Sequence, residues 1–288
     1  MNYLEFYELS QEPFSNAPVS RFYYSSAQHA QALMRLTHAV SGMKGLAVLV
    51  GDIGAGKTTL ARRMLDSLPE EEYEAALMVI IHSGITASWL LRRVAQQLGV
   101  EAPAEDKVVL LGQLYARLVQ VHEEGRKAVV LLDEAQMLAT REIMEELRGL
   151  LNLELPGHKL VTLVLFGLPE IEDRLQLDPP LAQRVAVRCR LEPLGAEATE
   201  AYVRHRLSLA GAQRPVFAAG AVAAVHRLSR GIPRLINTLC DNALFEGFLA
   251  GAPEIGEGIV TEVARDLALD VPREGPGVAG RLQDSLLE

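Results

Sequence analysis

Short apolar runs alternate with amphipathic stretches over the first two thirds of the chain. Runs rich in Val, Ile, Leu and Ala predict strands at 46–50, 76–81, 128–132 and 160–166. Apolar residues recur at helical spacing around them, which predicts helices at 26–41, 57–68, 87–98, 106–122 and 140–153. Alternating apolar and polar residues predict a fifth, more exposed strand at 185–191. Near-continuous apolar strands between helices indicate a parallel sheet covered on both faces.

The pattern changes after Leu194. Only helical periodicity follows, at about 197–210, 217–229, 233–250 and 258–269, and it predicts a small all-α domain. Residues 270–288 are rich in Pro and Gly, so we expect a flexible tail there. We therefore divide the chain into an N-terminal segment with a helix (1–45), an α/β core (46–194), a helical domain (195–269) and the tail (270–288).

A glycine-rich loop joins the first predicted strand to the helix after it. It reads Gly51-Asp52-Ile53-Gly54-Ala55-Gly56-Lys57-Thr58 and matches the pattern GxxxxGK[ST] of the phosphate-binding P-loop. Backbone N–H groups of such a loop, with the N-terminus of the next helix, face phosphate oxygens. We expect Lys57 to reach the β- and γ-phosphates and Thr58 to bind Mg²⁺. The sequence therefore predicts an ATP and Mg²⁺ site at residues 51–58, together with Thr59.

Two carboxylates follow the third predicted strand. Asp133 suits the Mg²⁺ shell, and Glu134 is placed to polarise the attacking water as a general base. An acidic pair at the end of a strand is weak support alone, because many helices begin with carboxylates. This pair lies about 75 residues after a P-loop, and the two motifs together predict a nucleotide-hydrolysing enzyme, an ATPase, with Walker A and Walker B motifs.

Composition narrows the class of protein. Hydrophobic residues make up 49% and charged residues 23%, as in soluble globular proteins, and no apolar run is long enough to cross a bilayer. The start of the chain lacks the features of a signal peptide, so we expect a cytoplasmic protein. The two cysteines predict reduced, buried thiols rather than a disulfide framework, and the histidines lack zinc-ligand spacing. The net charge of −9 disfavours DNA as the default partner.

Further motifs give the chain a resemblance to a known family. Besides the P-loop, they are residues 3–7 with Pro13 and Phe14, then 30–33, 131–136, 165–170, 181–185 and 231–237. In this order and spacing, over about residues 2–268, the sequence resembles an AAA+ ATPase of the family that includes general secretion pathway protein A. Related ATPases act with transposases and with pilus machinery. The implied fold is an α/β P-loop core, with a parallel sheet sandwiched by helices, followed by a small all-α lid domain.

The resemblance also implies roles for individual residues. Arg234 matches the sensor-2 arginine that a lid places against the γ-phosphate, and Arg184 or Arg188 matches an arginine finger acting on a neighbouring subunit's ATP. Pro13 and Phe14 would border the adenine. The role of an arginine finger requires ATP-dependent self-association. Without this resemblance, each of these arginines would be interpreted as a solvated surface charge.

The chain departs from the family pattern in two places. Leu168 stands where the family has a polar sensor-1 residue after the glycine of the fourth strand. Secretion members also carry a membrane segment and a periplasmic region after the ATPase, whereas this chain ends at Glu288, so we expect a stand-alone motor module.

Two interpretations of the biological role remain. The first is an oligomeric assembly or remodelling motor at an envelope machine of the secretion or pilus type, peripheral to the inner membrane through a protein partner. The second is an adaptor of the transposition type, in which ATP drives polymerisation on DNA. The acidic composition favours the first.

Overall fold

The computed structural model describes residues 2–17 and 20–269, and they fall into two compact units. The core unit comprises residues 16–17, 20–194 and 232–234, and the helical unit comprises residues 2–15, 195–231 and 235–269. The N-terminal segment is thus divided, because residues up to 15 group with the helical unit and later ones with the core.

The strands and helices of the described residues follow the predicted alternation. The strands are β1 (Leu46–Gly51), β2 (Tyr73–Val79), β3 (Lys127–Asp133), β4 (Glu154–Leu155), β5 (His158–Lys159), β6 (Val161–Gly167) and β7 (Val185–Leu191). The helices are α1 (Tyr3–Phe6), α2 (Ala27–Ser41), α3 (Lys57–Asp66), α4 (Ala87–Gln97), α5 (Lys107–Glu123), α6 (Arg141–Leu150), α7 (Ile171–Leu175), α8 (Pro179–Ala182), α9 (Ala196–Leu209), α10 (Ala219–Ser229), α11 (Pro233–Leu249) and α12 (Glu257–Asp266).

Five parallel strands form the sheet of the core unit in the order β2-β3-β6-β1-β7. Side chains alternate across it. Leu46, Val48 and Val50 of β1 face the layer that contains α4, α5 and α6, whereas Ala47 and Leu49 face the layer of α2 and α3. This sheet between two helical layers confirms the predicted fold class, and β6 separates the P-loop strand β1 from the acidic strand β3.

Most predicted bounds are correct within a few residues, and β2 shows why one was shifted. Its strand begins at Tyr73, three residues before the predicted start, because the charge of Glu74 is paired with Arg117 and Arg126 and does not interrupt the ladder. It ends at Val79, and the apolar Ile81 that extended the prediction is 81% exposed in the loop that follows.

The helical unit contains α1, α9, α10, α12 and α11 from Leu235 onward, and one buried arginine holds residues up to 15 in it. Arg206 is 6% exposed, and its guanidinium donates to the carbonyls of Pro13 (2.5 Å) and Ser15 (2.8 Å). Tyr7 adds a hydrogen bond to the carbonyl of Ala252 at 3.0 Å. Buried carbonyls need such donors, so these contacts explain why residues up to 15 group here.

Both cysteines, Cys189 in β7 and Cys240 in α11, are buried and free, as predicted. Among the helices of residues 2–17 and 20–269, none combines the length and the apolar character needed to span a bilayer.

Candidate nucleotide site

The P-loop lies between the end of β1 at Gly51 and the start of α3 at Lys57. Two of its glycines adopt left-handed backbone angles, with φ of 81° at Gly54 and 98° at Gly56, which side chains with a Cβ adopt only at a cost. Gly56 is also the N-cap of α3. The sequence folds here into the strand, loop and helix that phosphate binding requires, with the positive end of the α3 dipole at the loop.

A histidine of α2 supports the P-loop from its own layer. His29 is 6% exposed, and its Nε2 lies 3.2 Å from the Ala55 carbonyl while its Nδ1 lies 2.7 Å from Ser26 Oγ. A carbonyl only accepts, so Nε2 carries the proton. Burial lowers the pKa of His29, which favours the neutral ring. Sequence analysis missed this residue, since it sits inside a predicted helix without a motif.

Lys57 is folded onto its own loop. Its side chain is 6% exposed, and Nζ donates to the carbonyls of Gly51 at 2.8 Å and Asp52 at 3.0 Å. Burial lowers the pKa of Lys57, while the nearby carboxylates of Glu134, Asp133 and Asp52 oppose that shift. The Lys57 ammonium is therefore bound to carbonyl oxygens here, although its charge suits the anionic oxygens of a phosphate.

The other loop residues differ in exposure. Ile53 is 65% exposed, Asp52 is exposed, and Thr59 is half-buried at the start of α3.

The two predicted Mg²⁺ ligands meet in the structure. Thr58 Oγ1 donates to Asp133 Oδ2 at 2.7 Å, and Asp133 Oδ1 accepts from the backbone N–H of Glu134 at 3.0 Å. Asp133 is fully buried at the end of β3. Burial raises its pKa, and the hydrogen bonds from Thr58 and Glu134, with the charge of Lys57, act in the opposite direction. A buried carboxylate beside a hydroxyl is a pair of hard oxygen donors, which fits Mg²⁺.

Glu134 follows Asp133 in a left-handed conformation, with φ of 56° and ψ of 37°. Non-glycine residues rarely adopt these angles, and they redirect the chain at the edge of the sheet into the 3₁₀ turn Ala135–Met137. The Glu134 carboxylate accepts a hydrogen bond of 2.6 Å from Gln136, a partner that sequence analysis did not assign to the site.

Arg234, in the first turn of α11, groups with the core unit and lies on the P-loop. Its backbone N–H donates to the Gly54 carbonyl at 3.3 Å. An added Cβ at Gly54 would lie only 2.7 Å from the Cβ of Arg234. This approach places the candidate sensor-2 arginine beside the phosphate loop.

Of the two candidate finger arginines, Arg184 lies away from the P-loop of its own chain, and Arg188 lies within β7 opposite Val48 of β1. β7 runs parallel to β1 with Val185 opposite Leu46, so Arg184 is at the far end of the sheet from Gly51. Arg184 donates to the Arg148 carbonyl at 3.4 Å.

Arg188 donates to the Ala182 carbonyl at 3.3 Å and lies 3.9 Å from Glu172. Arg184 precedes β7, and the register with β1 shifts between Val185 and Val187.

Pro13 and Phe14 belong to the helical unit. Phe14 is 1% exposed and contacts Phe217 edge-on, with ring centroids 6.1 Å apart, and the Pro13 carbonyl is held by Arg206. Their role beside the adenine stays a prediction.

The sequence and the fold both match known proteins. A family profile described as an AAA domain matches residues 40–175. General secretion pathway protein A of Aeromonas hydrophila is 37% identical over 269 residues, which are 92% of this chain and 48% of that protein. The chain therefore spans about half the length of this curated relative.

Solved structures with the same fold are more distant in sequence. The Aeropyrum pernix ORC2 protein, solved in ADPNP-ADP complexes, has a TM-score of 0.62 at 15% identity and covers 89% of this chain and 72% of that one. Cdc6p from Pyrobaculum aerophilum has a TM-score of 0.64 at 17% identity, covering 86% and 70%. These structures match the fold, and the matches in sequence confirm the family resemblance: the chain is a P-loop NTPase of the AAA+ class and a homologue of general secretion pathway protein A.

Proposed function

We propose that this protein binds and hydrolyses Mg·ATP and acts as a self-associating assembly or remodelling motor of a secretion or pilus machine. The observation that carries the ATPase assignment is the 2.7 Å contact between Thr58 and Asp133, made one residue from Glu134 and one from Lys57. These four side chains supply the hydroxyl, two carboxylates and the ammonium that phosphoryl transfer uses. The similarity of 92% of this chain to general secretion pathway protein A supports the secretion role.

Each side chain has a distinct part in the proposed reaction. Lys57 exchanges the carbonyls of Gly51 and Asp52 for phosphate oxygens, and Glu134 accepts a proton from the attacking water. Arg234 stabilises the charge on the γ-phosphate oxygens. Thr58 and Asp133 would hold Mg²⁺, which when bound neutralises charge on the phosphates. An arginine from a neighbouring subunit, Arg184 or Arg188, completes the site.

The proposed setting is the cytoplasm, with the protein peripheral to the inner membrane through a protein partner. The alternative, an adaptor that polymerises on DNA, has less support because the formal net charge of the chain is −9.

Lys57→Ala should lower affinity for Mg·ATP by about 10- to 100-fold or more, because a hydrogen bond to a charged group is worth about 1.5–3 kcal/mol. Titration with a fluorescent ATP analogue in Mg²⁺ measures it. Lys44→Ala removes an exposed lysine before β1 and serves as the control. Equal affinity of Lys57→Ala and wild type would contradict the nucleotide assignment.

Glu134→Gln keeps the shape of the side chain and removes its basicity. Turnover should fall by about 10²-fold or more, while affinity for ATP stays close to that of wild type. Steady-state phosphate release and the binding titration separate the two effects. The exposed Glu123→Gln variant should match wild type in both assays. Unchanged turnover in Glu134→Gln would assign the general base to another group.

Asp133→Asn should stabilise the Mg²⁺-free protein. Because burial raises the pKa of Asp133, the unfolded chain loses this proton at lower pH than the folded chain does. The folded state therefore loses stability as pH rises from the ordinary carboxyl pKa through the raised one, and the ionised group costs stability at neutral pH. We expect Tm of the variant to rise by about 2–4 °C, the effect of roughly 1 kcal/mol in a domain of this size.

The same variant should lose the rise in Tm that Mg·ATP gives wild type, because ligand binding stabilises only through affinity for the folded state. Glu134→Gln should retain that rise. A lower Tm of Asp133→Asn in the absence of Mg²⁺ would contradict the cost assigned to the buried charge.

Hydrolysis should depend on self-association, since an arginine finger acts on the ATP that a neighbouring subunit binds. Specific activity should rise with protein concentration. Alanine at the finger position should lower turnover by about 10²-fold or more without weakening ATP binding, because such fingers contribute about 10³–10⁵ in kcat elsewhere. Arg190→Ala removes an exposed arginine of the same strand and is the control.

A second experiment mixes two variants that lack different parts of the site. Arg184→Ala or Arg188→Ala protein mixed with Lys57→Ala protein should regain activity, because a finger from the second subunit meets an intact P-loop on the first. Constant specific activity on dilution, with no recovery on mixing, would show a monomeric enzyme.

A further inference from the structure

One glutamine side chain joins the end of β3 to the end of β6. Gln136 is 9% exposed; its Nε2 donates to Glu134 Oε2 at 2.6 Å and its Oε1 accepts from the Leu168 N–H at 3.0 Å. The orientation of the carboxamide is set by chemistry, since a carboxylate only accepts and a backbone N–H only donates. Both ends of the amide are therefore committed, one of them to the predicted general base.

The backbone around this bridge is shaped to admit it. A Cβ added at Gly167 would lie 3.1 Å from Gln136 Oε1 and 3.3 Å from its backbone nitrogen, so the glycine at the end of β6 leaves room for the amide. Glu134 sits in the left-handed region at the other end of the bridge, where a non-glycine residue is held only by its surroundings.

The position of β6 in the sheet places this Gln136 bridge beside the candidate nucleotide site. β6 lies between β1 and β3, so its carboxyl end is next to both the P-loop and the acidic pair. Leu168 has no polar side chain to reach the nucleotide, but its backbone N–H contacts Gln136. The link from the end of β6 to the reacting groups therefore passes through Gln136 to Glu134.

We propose that Gln136 is a positioning residue for ATP hydrolysis: it fixes the Glu134 carboxylate against the end of β6, and with it the water that Glu134 activates. This inference rests on the proposed function, because it assumes that Glu134 is the general base. Loss of the bridge should lower the rate of the chemical step and leave nucleotide binding intact, since misplacement of a catalytic group by about 1 Å can cost about 10²-fold.

Three variants of Gln136 separate its two hydrogen bonds. Gln136→Met removes both, and kcat should fall by about 10- to 100-fold with the affinity for ATP within about twofold of wild type. Gln136→Glu keeps an acceptor for Leu168 but cannot donate to Glu134 when ionised, and kcat should fall at least as far.

Gln136→His restores one donor and one acceptor when the ring is neutral. Its kcat should be within a few-fold of wild type at pH 8 and should fall toward that of Gln136→Met below about pH 6.5, where protonation removes the acceptor. The wild-type profile, measured in parallel, should lack this additional loss. A residue that served only folding would not produce a rescue that depends on pH.

Gln120→Met is the matched control, because Gln120 also donates to a carboxylate, that of Glu124 at 2.9 Å, but on the exposed face of α5. It should match wild type in kcat. Binding of the fluorescent ATP analogue verifies that each Gln136 variant is folded.

Turnover of Gln136→Met equal to wild type, or Gln136→His no more active than Gln136→Met at pH 8, would overturn the role of Gln136 while the proposed function stands. Absence of turnover in wild type at every protein concentration would instead overturn the proposed function, and this inference with it.

Discussion

A carboxylate buried at the carboxyl end of β3 is the constraint on which the candidate site depends. Asp133 is fully buried, and its partners in the structure are the Thr58 hydroxyl and the Glu134 N–H, which compensate a carboxylate only in part. Burial accordingly raises its pKa. The arrangement holds the carboxylate in a state that a divalent cation would relieve, so the fold carries an electrostatic cost that binding can return.

The register of the sheet fixes the relative positions of the groups in the candidate site. Val50 of β1 pairs with Gly167 of β6, and Leu132 of β3 pairs with Leu165, so the carboxyl ends of the three strands are nearly level. Apolar layers on both faces fix that register, because a slip of one residue would move every side chain to the opposite layer. The positions of the P-loop, the acidic pair and the Leu168 N–H are therefore set by packing far from the chemistry.

Much of the fold could be predicted from the sequence, and the exceptions have physical causes. The strand at 185–191 was predicted with its exact bounds because an edge strand alternates burial, whereas α7 and α8, of five and four residues, are too short for periodicity to detect. The two motifs predict that Thr58 and Asp133 lie together, and their side chains are in contact because strand, loop and helix dictate their positions, while their roles stay a prediction. His29 acts through a contact with Ala55, distant in sequence, which no local pattern predicts.

Gln136 shows that sequence patterns can also miss a residue that lies next to a motif. It stands two residues after Glu134 in the sequence, yet its importance appears only when Leu168, 32 residues further on, supplies the second hydrogen bond. In the sequence alone, Leu168 departs from the polar sensor-1 residue of the family. In the folded chain the backbone N–H of that residue is a donor that substitution cannot remove, save by proline. Under the proposed role of Gln136, the polar side chain at the end of β6 comes from Gln136 rather than from residue 168, and Gly167 leaves the room for it.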